Sequence, residues 1–431
     1  MNRPGQSLLS RLIFSRSEKR ESKKQQHRAS TDAFLGLLAR LRSGHLVLTL
    51  PNKEVREFGN RSDLLHAEIQ ILDWSVFKQA LSHGDIGFAE SYIRGEWNTP
   101  DLKAVLELAI RNRTILEKAI YGSWLGSLAY RLRHWFRDNS KSGSRKNIHA
   151  HYDLGNAFYT LWLDPTMSYS SAWFSEGDQQ SLMDAQRDKI KRILKSIHTK
   201  AGDQLLEIGC GWGGFMEEAL RNNNQITGLT LSTEQKAFAE SRLQQVSAEV
   251  GGSKKFEVRL QDYRDCTERF DGIASIEMFE AVGENHWGEY FQTIAKRLKA
   301  GGRACIQTIV IAEDLFERYR HSTDFIQQYV FPGGMLPSPS KFKAAAASAG
   351  LVVESEFAFG ADYAKTLCLW RDSFNQKIDE IYRLGFDEAF IRLWNFYLMY
   401  CAAGFSEKNI DVVQYTLKHQ SNHLSGDALT P

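Results

Sequence analysis

The chain has 431 residues, 42% hydrophobic and 25% charged, with a formal net charge of +2. That length and balance point to two or three globular domains and exclude a fibrous repeat or a mostly disordered chain. No apolar run approaches the roughly twenty residues of a membrane span, the five cysteines form no Cys-x-x-Cys pair, and the apolar stretch 7–14 is short and broken by Arg11, so a soluble intracellular protein without disulfides, zinc site or secretory leader is expected.

Residues 1–28 carry eight basic side chains against Glu18 and Glu21. Three readings stay open for this tail. It is a solvated, disordered segment, a patch drawn to anionic lipid headgroups at about 1 kcal/mol per basic residue, or a transit peptide. Residues 30–136 read as a small α/β domain. The spacing predicts a helix over 32–41, strands over 45–51 and 67–72, and a helix from Trp74 to Leu81, followed by the stretch 84–97. Over 124–136, aromatic and basic residues interleave (Trp124, Arg131, Trp135). An amphipathic helix lying on a membrane and a core-facing helix with snorkelling arginines both look like this. Residues 137–147 are polar and serine-rich, a domain linker.

The remainder, 148–431, alternates strand and helix patterns. Strands are expected over 205–208, 226–231, 256–260, 272–276, 303–311 and 410–417, with helices over 215–221 and 390–403. Such alternation implies a parallel sheet covered on both faces. His149 and His151 have no partner cluster with ligand spacing, so no metal is expected. The basic residues gather in a tail rather than across a face with stacking aromatics, so nucleic acid is not the expected partner.

Glu207-x-Gly209-x-Gly211-x-Gly213 follows an apolar strand and opens a helix. Glycines there allow a tight turn and close approach of a ligand to the backbone. A Gly-x-Gly turn by itself is a weak signal, and Glu207 would repel a phosphate while suiting the amino group of a methionine moiety. Thr230, Leu231 and Gln235 close the second strand, where ribose contacts fall in a doubly wound sheet. Gln261, Asp262 and Tyr263 close the third, a place for adenine.

Read together, His151-Tyr152-Asp153-Leu154-Gly155-Asn156, Tyr169-Ser170-Ser171-Ala172, the glycine turn, Gln261-Asp262-Tyr263, Met278-Phe279-Glu280, Tyr329-Val330-Phe331-Pro332-Gly333-Gly334 and Phe359-Gly360-Ala361-Asp362-Tyr363 resemble the cyclopropane-fatty-acyl-phospholipid synthase family. The match covers roughly 148–420, and 84–97 resembles the lipid-recruiting domain of the longer members. The resemblance implies an α/β, Rossmann-like class I methyltransferase sheet, mostly parallel and seven-stranded, with a smaller N-terminal α/β lipid-recruiting domain. It implies an S-adenosylmethionine-dependent enzyme acting on the double bonds of unsaturated acyl chains in a phospholipid bilayer, cytoplasmic and peripheral to the inner face of the membrane. The family often forms homodimers.

The resemblance also places residues. Tyr169, Ser170, Glu207, Gly209, Gly211, Gly213, Thr230, Leu231, Gln235, Gln261, Asp262 and Tyr263 would bind the cofactor. Similar enzymes hold a bicarbonate ion as base, and Glu280, Tyr363, Ser171 and Gln307 would form that catalytic anion site here. Ser171 stands where many members have cysteine and Gln307 where many have histidine, so a neutral hydrogen-bonded anion site is expected. The resemblance implies a cyclopropane as the product, with a methyl-branched or methylene chain as the alternative that these two departures leave open. A methyltransferase of nitrogen or oxygen and a lipid binder without turnover are the readings from other classes. The stripe Phe390, Trp394, Tyr397, Leu398 and Cys401 is either an acyl tunnel lining or core.

Overall fold

The computed structural model describes residues 28–120, 154–251 and 255–420. The basic tail before Arg28, the aromatic–basic stretch 124–136, the linker 137–147 and the histidines at 149 and 151 lie outside the described residues. The chain divides into two compact units, one of residues 1–129 with 388–396, the other of 130–387 with 397–431.

In the first unit, β1 (His45–Thr49) pairs in parallel with β3 (His66–Ile71) and antiparallel with β2 (Val55–Gly59), and the short β4 (Trp97–Asn98) closes the order β2-β1-β3-β4. Leu46, Leu48 and Ile71 turn into the core. The two expected pieces 74–81 and 84–97 are largely one helix, Ser75–Ile93, bent where Gly84 takes φ 61°. Trp97 is fully buried, stacked on Phe88 at 4.2 Å, with its indole N–H donating to the Phe88 carbonyl and Ser91 Oγ.

The division falls within the helix Glu388–Ser406, which contributes residues 388–396 to the first unit. There the Arg392 guanidinium donates to the carbonyls of Tyr92 and Trp97 and lies 4.0 Å over the Tyr92 ring.

The second unit is a seven-stranded sheet of order β10-β11-β9-β8-β5-β6-β7. Its strands are β5 (Gln204–Ile208), β6 (Gln225–Thr230), β7 (Phe256–Leu260), β8 (Phe270–Ile276), β9 (Leu298–Ile311), β10 (Leu351–Ala358) and β11 (Ile410–His419). Only β11 runs against its neighbours. Side chains alternate between two cores. Leu205, Ile226 and Ala274 pack with the helices Leu182–Ser196, Gly214–Arg221 and Thr233–Glu249, while Leu206, Leu229 and Ile273 pack with Trp287–Arg297 and Pro339–Ser348. This is the α/β methyltransferase sheet expected from the sequence. Its register sets Gln307 of β9 between Ile276 of β8 and Gln414 of β11.

Candidate active site

The glycine turn joins β5 to the helix Gly214–Arg221. Gly209, Gly211 and Gly213 have φ of 83°, 49° and 83°, backbone that side chains with a Cβ rarely adopt. The N–H groups of Gly209 and Cys210 donate to the Leu229 carbonyl, tying the turn to β6. A Cβ on Gly209 would lie 2.8 Å from Met278 Cγ, whereas one on Gly211 would meet nothing within 4 Å.

Glu207, near the end of β5, is 3% exposed, and its Oε2 is buried without a hydrogen-bond partner. Burial pushes its carboxyl up to about 8, against the pull of Lys189. Lys189 is itself driven down to about 8 by burial, and its ammonium donates to Ser170 Oγ at 2.6 Å. An orphaned carboxylate oxygen beside an open glycine turn fits the amino group of S-adenosylmethionine.

The other expected cofactor residues line the same edge of the sheet. Thr230 Oγ1 donates to Gln235 Oε1 at 2.9 Å, and Leu231 follows β6 directly. The Gln261 N–H bonds the Thr230 carbonyl, and Asp262 holds Arg264 through two side-chain bonds of 2.8 and 2.7 Å. Tyr263 packs edge-on against Tyr290. Tyr169 shares a 2.8 Å hydroxyl contact with Tyr397 and packs on Trp370.

The four expected catalytic residues divide. Three converge on a carboxylate that the sequence reading missed. Glu277, the residue after β8, accepts from the Ser171 N–H (2.9 Å) and Gln307 Nε2 (2.8 Å) at Oε1, and from the Tyr363 hydroxyl (2.5 Å) at Oε2. Desolvation raises its pKa, while these bonds and the charge of Lys189 oppose the rise. The Ser171 hydroxyl itself donates elsewhere, to the Ala172 carbonyl at 2.9 Å. The contribution of Ser171 to the cluster is therefore its backbone.

Glu280 stands apart from this convergence. Its Oε1 accepts from the Ile309 N–H at 2.5 Å and from Thr308 Oγ1 at 3.0 Å, and its Oε2 is buried without a partner. Desolvation and the neighbouring Glu277 push it up to about 8.

Behind Gln307 runs a polar chain. Arg192 Nη1 donates to Gln414 Oε1 (2.9 Å), and Gln414 Nε2 donates to Gln307 Oε1 (3.0 Å). An arginine can only donate, so both amides are oriented and the Gln307 NH₂ has to point at Glu277. The missed residues left faint signals. Lys189 interrupts the apolar stripe Ala185–Ile190–Ile193 of its helix, and Glu277 precedes Glu280 by three residues just past an apolar strand.

The stripe on the helix Glu388–Ser406 gives Phe390 and Trp394, ring-stacked at 5.6 Å, to the first unit, and buried Tyr397 and Leu398 to the second.

Residues 139–415 match the family model of mycolic acid cyclopropane synthetase. Tuberculostearic acid methyltransferase UfaA1 of Mycobacterium tuberculosis is 38% identical over 343 residues, 78% of this chain and 79% of that one. The cyclopropane-fatty-acyl-phospholipid synthase of Escherichia coli is 33% identical over 350 residues, 81% and 87% of the two chains. Among solved structures, the mycolic acid cyclopropane synthase CmaA1 complexed with SAH and CTAB superposes with a TM-score of 0.58 at 32% identity, covering 63% of this chain and 97% of that one.

Proposed function

The chain belongs to the mycolic acid cyclopropane synthetase family, and from that premise we propose that its substrate is the double bond of an unsaturated acyl chain in a membrane phospholipid, and its product a cyclopropane chain. It is an S-adenosylmethionine-dependent methyltransferase, of a kind that works on lipid double bonds. The phospholipid and the ring are the proposal.

One observation carries the reading. The Glu277 carboxylate sits one residue from Met278, whose side chain abuts Gly209 of the cofactor turn. When bound, S-adenosylmethionine supplies an electrophilic methyl group that the π electrons of an alkene displace from sulfur, leaving positive charge on the neighbouring carbon. That charge needs a carboxylate and aromatic faces close by and water kept out. Tyr363, stacked on Phe405 at 4.4 Å and set edge-on to Trp370, supplies such faces beside Glu277. Glu207, with its unpartnered oxygen, would hold the cofactor's amino group, and the glycine turn would admit its backbone-hugging end.

A phospholipid substrate brings the bilayer in as partner. No helix of the described residues is long and apolar enough to cross a membrane, and we propose peripheral attachment at the inner face, with the acyl chain leaving the bilayer to react. A homodimer is part of the same proposal, read by sedimentation. A second product, a methyl-branched or methylene chain, is favoured by the 38% identity to the relative named for tuberculostearic acid.

The test is incubation with monounsaturated phospholipid vesicles and methyl-labelled cofactor, followed by ozone cleavage and mass spectrometry. Labelled chains that ozone no longer cuts, with a ring by fragmentation, are expected. Label in a chain that ozone still cuts supports the methylene product. Cofactor binding with no label in any lipid contradicts the reading and leaves a lipid binder.

A further inference from the structure

We propose that Glu277 places the protein's own carboxylate where the family resemblance assigns a bicarbonate ion, and that this side chain is the base of the reaction. The inference rests on the lipid-methylation reading above and concerns how the same site works.

The donors decide the matter. Ser171, Gln307 and Tyr363 are the positions expected to bind the anion, and each already serves Glu277. The Ser171 amide and the Tyr363 hydroxyl have one hydrogen apiece, both used. The Gln307 amide oxygen is taken by Gln414, so that end cannot turn round to serve another ligand. A bicarbonate in the same place would meet a carboxylate, and these three groups have only the second hydrogen of the Gln307 amide left to offset two like charges. The residues present do not fit that ion. They fit the planar carboxylate group they hold, whose two oxygens accept three bonds.

The backbone supports the same assignment. Glu277 has φ 50°, a left-handed conformation that is strained for a residue with a Cβ. Its N–H is fixed to the Gln307 carbonyl at 2.8 Å, so both its main chain and its carboxylate are held by the same residue of β9. Strain of this kind persists where the surroundings over-determine it, and functional sites are where it collects. The polar chain from Arg192 is directed throughout, each group donating to the next, and it ends on an acceptor. That polarity favours the ionised form of Glu277. Desolvation raises Glu277 against the pull of its three donors and Lys189, whereas Glu280 is pushed up to about 8 by desolvation and by Glu277 itself, so the surroundings of the two carboxyls differ.

The step balances without another reactant. After methyl addition the positive charge lies on the alkene carbon next to the new C–C bond. One C–H bond of the added methyl breaks, its electron pair forms the third bond of the ring, and the proton passes to the Glu277 carboxylate, which becomes a neutral acid. Release of that proton to solvent resets the site. A 1,2-hydride shift that first carries the charge to the methyl-bearing carbon lets the C–H pair of the methyl form a C=CH2 double bond instead of a ring, and the methylene product results with the proton again on Glu277.

The full-length protein tests this with two variants and two readouts. With SAH present and no lipid, ¹³C-bicarbonate is titrated against the wild type and followed by line broadening; no saturable binding is expected. Wild-type turnover on monounsaturated vesicles is expected to be the same in buffer scrubbed of carbon dioxide and in buffer with added bicarbonate. Glu277→Gln should lose at least about 100-fold in turnover while keeping its affinity for SAH. Glu277→Gly, whose backbone suits φ 50°, should lose as much and regain turnover on addition of formate or bicarbonate; thermal unfolding confirms that each variant is folded. Saturable bicarbonate binding by the wild type, turnover that falls when carbon dioxide is removed, or a Gln variant with full activity would each overturn the proposal while leaving lipid methylation standing. A wild type that labels no lipid overturns the reading beneath it, and the lipid-free titration still judges the anion position alone.

Discussion

The glycine turn and the Glu277 cluster lie at the same edge of one sheet, yet they are built in opposite ways. The turn is a local device. Seven consecutive residues, Glu207 to Gly213, carry a carboxylate and three positive-φ glycines, and its work is done by backbone. The cluster is assembled from side chains and one amide drawn from four separate segments, with Glu277 bonded to residues 106, 30 and 86 positions away. Only the strand order β11-β9-β8 brings Gln414, Gln307 and Glu277 into line. A local device tolerates no side chain; an assembled one depends on each side chain to a different degree. Variants should therefore separate the two regions.

The largest effect is expected at the turn. Gly209→Val puts a β-branched residue at φ 83° with its Cβ 2.8 Å from Met278 Cγ, and titration with SAH should show no binding. Normal affinity would break the distinction at its first term. Tyr363→Phe removes a charge-assisted bond to Glu277, worth about 1.5–3 kcal/mol, so turnover should fall roughly 10- to 100-fold with the SAH affinity little changed. Equal losses in both would merge the two regions into one.

Gln414→Leu acts one step further back. It frees the Gln307 amide to rotate, and a neutral bond of about 0.5–1.5 kcal/mol predicts a loss smaller than that of Tyr363→Phe. Its signature is the pH profile. Weakening a donor to the ionised form raises the Glu277 pKa, so the acid limb of turnover should move to higher pH. An unmoved limb would make Gln414 a packing residue only.

The smallest effect is on stability. Glu207 and Glu280, both raised to about 8 by desolvation, keep protons in the folded protein that the unfolded chain has released. Their contribution is present at low pH and is lost as pH rises from about 5 toward 8. Lys189, lowered to about 8, acts in the opposite sense only above that pH. The Tm of the protein without cofactor should accordingly be lower at pH 8 than at pH 6, and the reverse order would contradict the burial of these carboxyls.

Legibility followed the same division. The buried parallel strands read as apolar runs, and β7 falls on the expected 256–260. β2 is an edge strand with four exposed residues of five, β4 has two residues, and β10 alternates through Glu354 and Glu356; none has an apolar pattern to read. The glycine turn was visible because its elements are contiguous. Ser171, Gln307 and Tyr363 were each visible from the family resemblance, but their common partner was not. Spacing along the chain carries no information about which strands become neighbours, and the convergence on Glu277 is a property of sheet order. For the same reason the sequence does not announce that 388–396 joins the first unit, since Arg392 meets Tyr92 and Trp97 across some 300 residues.

The most direct test of a built-in carboxylate is a crystal structure with SAH, grown with bicarbonate in the mother liquor. The Glu277 carboxylate is predicted within hydrogen-bond distance of the Ser171 amide, Gln307 Nε2 and the Tyr363 hydroxyl, with no separate anion among those donors. A planar anion seated on those three groups, with the Glu277 side chain swung away, would contradict it.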